Sequence, residues 1–239
     1  MNLNQKFDGF SSAERPTLGL ALVFDISGFT SFFNKPDIHY YMTGYINSII
    51  DCVETIIWGG EAFWETPISE FLPLPSKPLM KKFLGDGMLY VWENDEQRIV
   101  SSTEFKVKLL NRLWNLQMAF GKVNRKLYDI IPVGDLPSNI KIGIAQGSIF
   151  KLIEKDGSID FIGPCINLAS RLVKYCPELN FIASARLDLN KEHLDKNGYV
   201  KTIAIELRSF ENEIVIVDKD DFDSINEVDK ERLFRYLAV

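Results

Sequence analysis

The chain has 239 residues, enough to bury a sizeable core, and its 46% hydrophobic and 25% charged content is that of a globular protein, not a disordered one. A net charge of −6 argues against non-specific nucleic-acid binding, which needs a basic surface. The longest uninterrupted apolar run, residues 18–24, is far too short to span a bilayer, and the polar stretch 1–16 has no apolar signal-peptide region, so neither a membrane nor an export route is expected.

Cys52, Cys165 and Cys176 give no even-numbered disulfide framework and no CxxC pair, which fits a reducing cytoplasm. His39 and His193 stand alone, so a zinc site and a Ser-His-Asp triad both lack parts.

In chain order, residues 18–24 lack helical spacing and read as a buried strand ending at Asp25. Over 37–58 the apolar residues, among them Tyr41, Met42, Tyr45, Ile46, Ile49 and Val53, fall at i, i+3, i+4. That predicts a long helix closed by Gly59-Gly60. Pro67, Pro73, Pro75 and Pro78 make 61–78 an irregular insertion. Residues 79–84 and 88–92 are expected strands, with Gly85-Asp86-Gly87 as the hairpin between them. A second helix is expected over 96–128, and a second hairpin over 140–145 and 148–153, turning at Gln146-Gly147. Next come a strand edge at 160–162 and a helix over 164–175 with proline in its first turn. Strands at 181–184, 200–206 and 214–217 precede a charged helical tail in 218–239. The core order β-α-β-β-α-β over about 18–217 predicts an α+β fold. It is a ferredoxin-like sheet with helices on one face and additional strands, within one domain spanning 1–239.

Two carboxylates sit at strand ends: Asp25 in Phe24-Asp25-Ile26-Ser27-Gly28-Phe29-Thr30, and Asp86 at the hairpin tip. If the two strands are neighbours, both converge on one spot, and paired carboxylates with backbone carbonyls suit Mg²⁺ or Mn²⁺. Taken singly, such aspartates are more often structural, Asp25 as a loop cap and Asp86 as a turn residue. Asn167-Leu168-Ala169-Ser170-Arg171 puts Asn167 and Arg171 at i, i+4 on one helix face, where a guanidinium could neutralise a phosphoryl oxygen. A surface Asn and Arg on an amphipathic helix is the plain alternative. Gly59-Gly60-Glu61-Ala62-Phe63 looks like the GGDEF signature of diguanylate cyclases, but it ends a helix instead of capping a hairpin.

These motifs, with Lys82-Phe83-Leu84-Gly85-Asp86-Gly87, Lys141-Ile142-Gly143-Ile144-Ala145-Gln146-Gly147 and the segment from Asp160 to Arg171, occur in an order that closely resembles the class III nucleotidyl cyclases. The resemblance implies that Asp25 and Asp86, helped by the Ile26 carbonyl, bind two divalent cations, Mn²⁺ or Mg²⁺. It implies that Asn167 orients the ribose and Arg171 stabilises the transferring phosphoryl group, with Phe29 at the nucleotide. Lys82 and Asp160 fall where adenylyl cyclases read the base edge. Lys141 stands where an arginine usually meets the terminal phosphates, keeping the charge but not the bidentate fork. Arg208 is the nearest counterpart of a further lysine.

The implied reaction is attack of the ribose 3′-hydroxyl on the α-phosphorus with loss of diphosphate, in a head-to-tail homodimer whose sites take the aspartates from one protomer and Asn167 and Arg171 from the other. The free-standing architecture resembles the bacterial pyrimidine cyclases of phage defence, which make cyclic UMP or cyclic CMP for a separate effector. Tyr45, where purine cyclases keep a smaller residue, points the same way by filling space that a two-ring base needs. Lys82 and Asp160 suit adenine equally, so an adenylate cyclase is the alternative. A non-catalytic nucleotide-binding module is the more distant one, since Asp25, Asp86, Asn167 and Arg171 are all present.

Overall fold

A computed structural model describes residues 10–13, 15–94 and 99–237, with side chains from residue 15. Residues 1–9 and 238–239 of the expected domain, and 96–98 of the expected second helix, lie outside the described residues.

The chain begins with strands β1 (Phe10–Ala13) and β2 (Thr17–Ser27), a short helix α1 (Phe29–Phe33) and the long helix α2 (Met42–Trp58). Strands β3 (Gly60–Ala62) and β4 (Ser69–Phe71) form a small sheet of their own inside the insertion. Then follow β5 (Met80–Phe83), β6 (Gly87–Glu93), α3 (Thr103–Tyr128), β7 (Asn139–Glu154), β8 (Ile159–Ile162) and α4 (Pro164–Leu172). The chain continues through β9 (Phe181–Ser184), α5 (Lys191–Lys196), β10 (Tyr199–Ala204) and β11 (Glu213–Asp218). It ends in α6 (Lys219–Ser224), α7 (Glu227–Leu233) and β12 (Phe234–Arg235). Among the described residues no helix is long and apolar enough to cross a membrane.

The main sheet runs β12-β10-β11-β9-β7-β2-β6-β5, with β1 and β8 also paired to β7. Its centre, β7-β2-β6-β5, is the strand order of the expected β-α-β-β-α-β core. Strand β2 is apolar and buried from Gly19 to Phe24, where both its faces are covered. Leu20, Leu22, Phe24 and Ile26 pack against α2 and α3, while Ala21 and Val23 pack against α4. The two core helices therefore share one face, and α4, with Phe222 of α6 and Leu233 of α7, covers the other.

Three expectations are corrected. Gln146-Gly147 is not a turn: β7 is one continuous 16-residue strand, paired to β2 from Ser27↔Asn139 to Thr17↔Ile149. Gly147 is extended, and its lack of a side chain admits Cys165, whose Cβ would lie 3.3 Å from a Cβ added at Gly147. The helix expected from residue 37 starts at Met42, after a left-handed Asp37 (φ 61°) and a 3₁₀ turn over Ile38–Tyr40. The tail forms two short helices, broken at Ile225, in place of one. The expected Gly59 cap is observed, with φ 106° and its N–H on Thr55. The insertion lies along α3, held by Lys126 Nζ on the Phe63 carbonyl (2.8 Å), Lys122 on Glu65 (2.7 Å) and Arg112 on the Leu72 carbonyl.

Candidate active site

Asp25 lies two residues before the end of β2, opposite Gly87 of β6 on one side and Lys141 of β7 on the other. The Asp86 turn is pinned to it by Ile26 N–H donating to the Asp86 carbonyl at 2.8 Å, and the turn is closed by Leu84 N–H on the Gly87 carbonyl at 2.9 Å. Only glycine fits at Gly87, where a Cβ would stand 1.8 Å from the Phe24 carbonyl oxygen. This close approach brings the two carboxylates together. Burial and the Asp86 charge push the Asp25 carboxyl above its usual range, while Lys174 and Lys141 act in the opposite direction.

Period-2 alternation sends Asp25 to the same face as Ala21 and Val23, the face that carries α4. Asn167 and Arg171 on α4 then line one cavity of about 290 Å³ with Asp25 and Asp86. Ser170 and Lys174 also line it, and sequence reasoning passed over both. A charge three residues beyond Arg171 was the available signal for Lys174.

On its other side the Asp86 hairpin borders a second groove, of about 480 Å³. Phe29, Phe33, Ile46 and Phe83 line it, and it shares Leu84 and Asp86 with the first cavity. Phe29 thus shares a groove with Asp86, but Tyr45 does not. Its side chain is fully buried in the core, with its ring 4.8 Å from that of Phe32, and burial pushes its phenol pKa upwards. Tyr45, expected at the base pocket, lines neither cavity, whereas its neighbour Ile46 faces the groove.

Lys82 and Asp160, 78 residues apart, meet in an ion pair of 2.6 Å, and the second Asp160 oxygen accepts from the Phe161 N–H at 2.8 Å. They line neither cavity. Arg208 sits on the exposed β10–β11 loop beside a separate cavity of about 250 Å³, so the structure does not bring it to the carboxylates within one chain. Among the described residues there is no cluster of three or more His, Cys, Asp or Glu side chains that could hold a metal. A two-carboxylate set of hard oxygens nevertheless fits Mg²⁺ or Mn²⁺, which complete their coordination with water and substrate phosphates.

No protein-family model matches the chain, and no curated protein matches it. Solved structures do. The guanylyl cyclase Cya2 superimposes with a TM-score of 0.56 at 18% identity, covering 88% of this chain and 93% of that one. The adenylyl cyclase CyaB from P. aeruginosa gives 0.57 at 16%, covering 86% and 94%. The catalytic core of a rhodopsin-guanylyl cyclase with converted specificity, in complex with ATPαS, gives 0.54 at 14%, covering 86% and 98%. The likeness is one of fold: this chain has the mixed α+β architecture of class III cyclase catalytic domains.

Proposed function

We propose that this chain, built on the cyclase catalytic fold, converts a nucleoside triphosphate to its 3′,5′-cyclic nucleotide and diphosphate. The observation that carries the reading is the shared cavity of Asp25, Asp86, Asn167 and Arg171, four side chains from three separate motifs. Asp25 and Asp86 hold the two divalent cations, with the Ile26 carbonyl as a further oxygen. When bound, those cations supply Lewis acidity towards the ribose 3′-hydroxyl and neutralise the leaving diphosphate. Arg171 offers a planar fork to the phosphoryl oxygens where negative charge builds. Asn167, one helical turn earlier, orients the ribose. Lys141, opposite Asp25 on β7, meets the terminal phosphates, and Phe29 walls the adjoining groove. Three buried, free cysteines suit a reducing cytoplasm.

Lys82 and Asp160 present one donor and one acceptor to the base. The pair suits uracil through O4 and N3–H, cytosine through its amino group, and adenine through a ring nitrogen and the exocyclic amine. With Tyr45 in the core, its bulk no longer supplies a reason to exclude a two-ring base. The proposal of UTP and CTP as substrates, with the cyclic product read by a separate effector in antiviral defence, then rests on the resemblance of the architecture to the pyrimidine cyclases alone, and ATP is the alternative. Incubation with each of the four triphosphates and Mn²⁺, with products identified by mass, tests this. No cyclic product from any of them refutes the cyclase reading and leaves a nucleotide-binding module. Dominant cyclic AMP refutes only the pyrimidine part.

We further infer a head-to-tail homodimer. Phe33, Phe83 and Leu84 are half-exposed around Asp86, an apolar surface that a second copy would cover. The single-chain cavity favours a second arrangement, in which Asn167 and Arg171 serve the aspartates of their own protomer. The complementation experiment described below separates the two.

A further inference from the structure

Lys174 is a cation that the reading above leaves without a part. It follows Arg171 by three residues, in the turn that closes α4, where its N–H donates to the Arg171 carbonyl at 3.3 Å. The sheet beneath fixes this turn. At Gly143 of β7 an added Cβ would stand 2.1 Å from the Ala169 carbonyl oxygen and 2.6 Å from the Val173 nitrogen, so the backbone of α4 rests directly on the strand. Asp25 leaves β2 on that same face, two residues beyond Val23, which pairs with Gly143. Lys174 therefore lines the cavity that holds both carboxylates and Arg171. Among the described residues it makes no ion pair. Its field reaches Asp25 and opposes the effects of burial and of Asp86 there.

We propose that Lys174 is a resident counter-cation of the Asp25–Asp86 pair, standing in for the divalent cation in the metal-free protein and giving way to it on loading. The inference rests on the metal-binding reading of Asp25 and Asp86. Two adjacent carboxylates at a half-buried site repel each other, and a nearby ammonium lowers that cost. The flexible stem of lysine lets the charge approach the pair or turn to solvent. The same positive charge repels an incoming divalent ion. Lys174 is thus a positioning residue: it keeps the pair assembled before loading and raises the metal concentration at which loading occurs.

The test is a Mn²⁺ titration of the full, metal-stripped chain followed by electron paramagnetic resonance, without nucleotide. Wild type is compared with Lys174→Gln, Lys174→Arg and Asp25→Asn. Removing one charge several ångströms from a divalent ion at a protein surface should tighten Mn²⁺ binding by about three- to tenfold in Lys174→Gln. Lys174→Arg should stay near wild type, and Asp25→Asn should lose most of its affinity. The metal-stripped Lys174→Gln protein should also melt below wild type, with the gap closing at saturating Mn²⁺. Damage to the fold would not tighten metal binding. Unchanged or weaker Mn²⁺ affinity in Lys174→Gln, or a metal-stripped midpoint that does not fall, overturns the role of Lys174 while a weakened Asp25→Asn leaves the metal site standing. Mn²⁺ binding indifferent to Asp25→Asn overturns both.

Discussion

Replacing Gly143 by alanine tests the seat of α4. The new Cβ would stand 2.1 Å from the Ala169 carbonyl oxygen and 2.6 Å from the Val173 nitrogen. Comfortable contact between such atoms needs about 3.5 Å, so the helix must lift by roughly 1 Å. Both obstacles are backbone, and no flexible side chain can turn aside to relieve them. Overpacking of this kind costs about 1–3 kcal/mol. For a protein of this size the melting temperature should fall by about 2–12 °C. The same lift displaces Asn167 and Arg171 from the carboxylates, and a misplacement near 1 Å can cost about 100-fold in turnover. The control is Gly121→Ala inside α3, where an added Cβ meets nothing within 4 Å. There the identical change removes a helix-interior glycine and should stabilise by about 0.5–1 kcal/mol. The assay is a thermal melt of both variants beside wild type, with Mn²⁺-dependent turnover measured on the same preparations. A Gly143→Ala protein that melts at or above wild type and turns over normally would refute the reasoning.

Asp25→Ala and Asp86→Ala should each abolish turnover while leaving circular dichroism and sedimentation unchanged, since neither side chain belongs to the core; full activity in excess chelator sinks the metal reading. Asp25→Ala and Arg171→Ala proteins, each inactive alone, should regain part of the activity when mixed if sites are shared between protomers. No recovery from a verified mixed dimer favours the single-chain arrangement. The Tyr45 hydroxyl is buried with no hydrogen-bond partner among the described residues. Tyr45→Phe should therefore stabilise by about 1 kcal/mol, raise the melting temperature by about 2–4 °C and leave the preference among the four triphosphates unchanged. A changed preference would return Tyr45 to the base pocket.

The parts of the site legible in the sequence were those set by local chemistry. The apolar run before Asp25, the Gly85-Asp86-Gly87 turn and the proline-led helix carrying Asn167 and Arg171 each follow from a handful of neighbouring residues. Gly147 misled because its glycine serves a tertiary contact, the approach of Cys165, and no feature within the strand separates that use from a turn. Tyr45 could have been placed better. It shares the stripe of Met42 and Ile49, which periodicity alone assigns to the core. The Lys82–Asp160 contact depends on β8 reaching β5, a long-range closure that no local pattern encodes.

The long register between β2 and β7 has a consequence for synthesis. Thr17 pairs with Ile149, and Ser27 with Asn139, so the edge of β2 that faces β7 has no partner until more than a hundred further residues have been made. At roughly 5–20 residues per second, Thr17 waits about 7–26 s for Ile149. The opposite edge is served sooner, because Gly19 pairs with Glu93 of β6. Throughout the interval a nascent chain offers one unpaired, apolar strand edge leading to Asp25, a template for pairing with neighbouring nascent chains. Slow translation between β6 and β7 lengthens that exposure, and chaperone capture of the emerging β2–β6 segment shortens it.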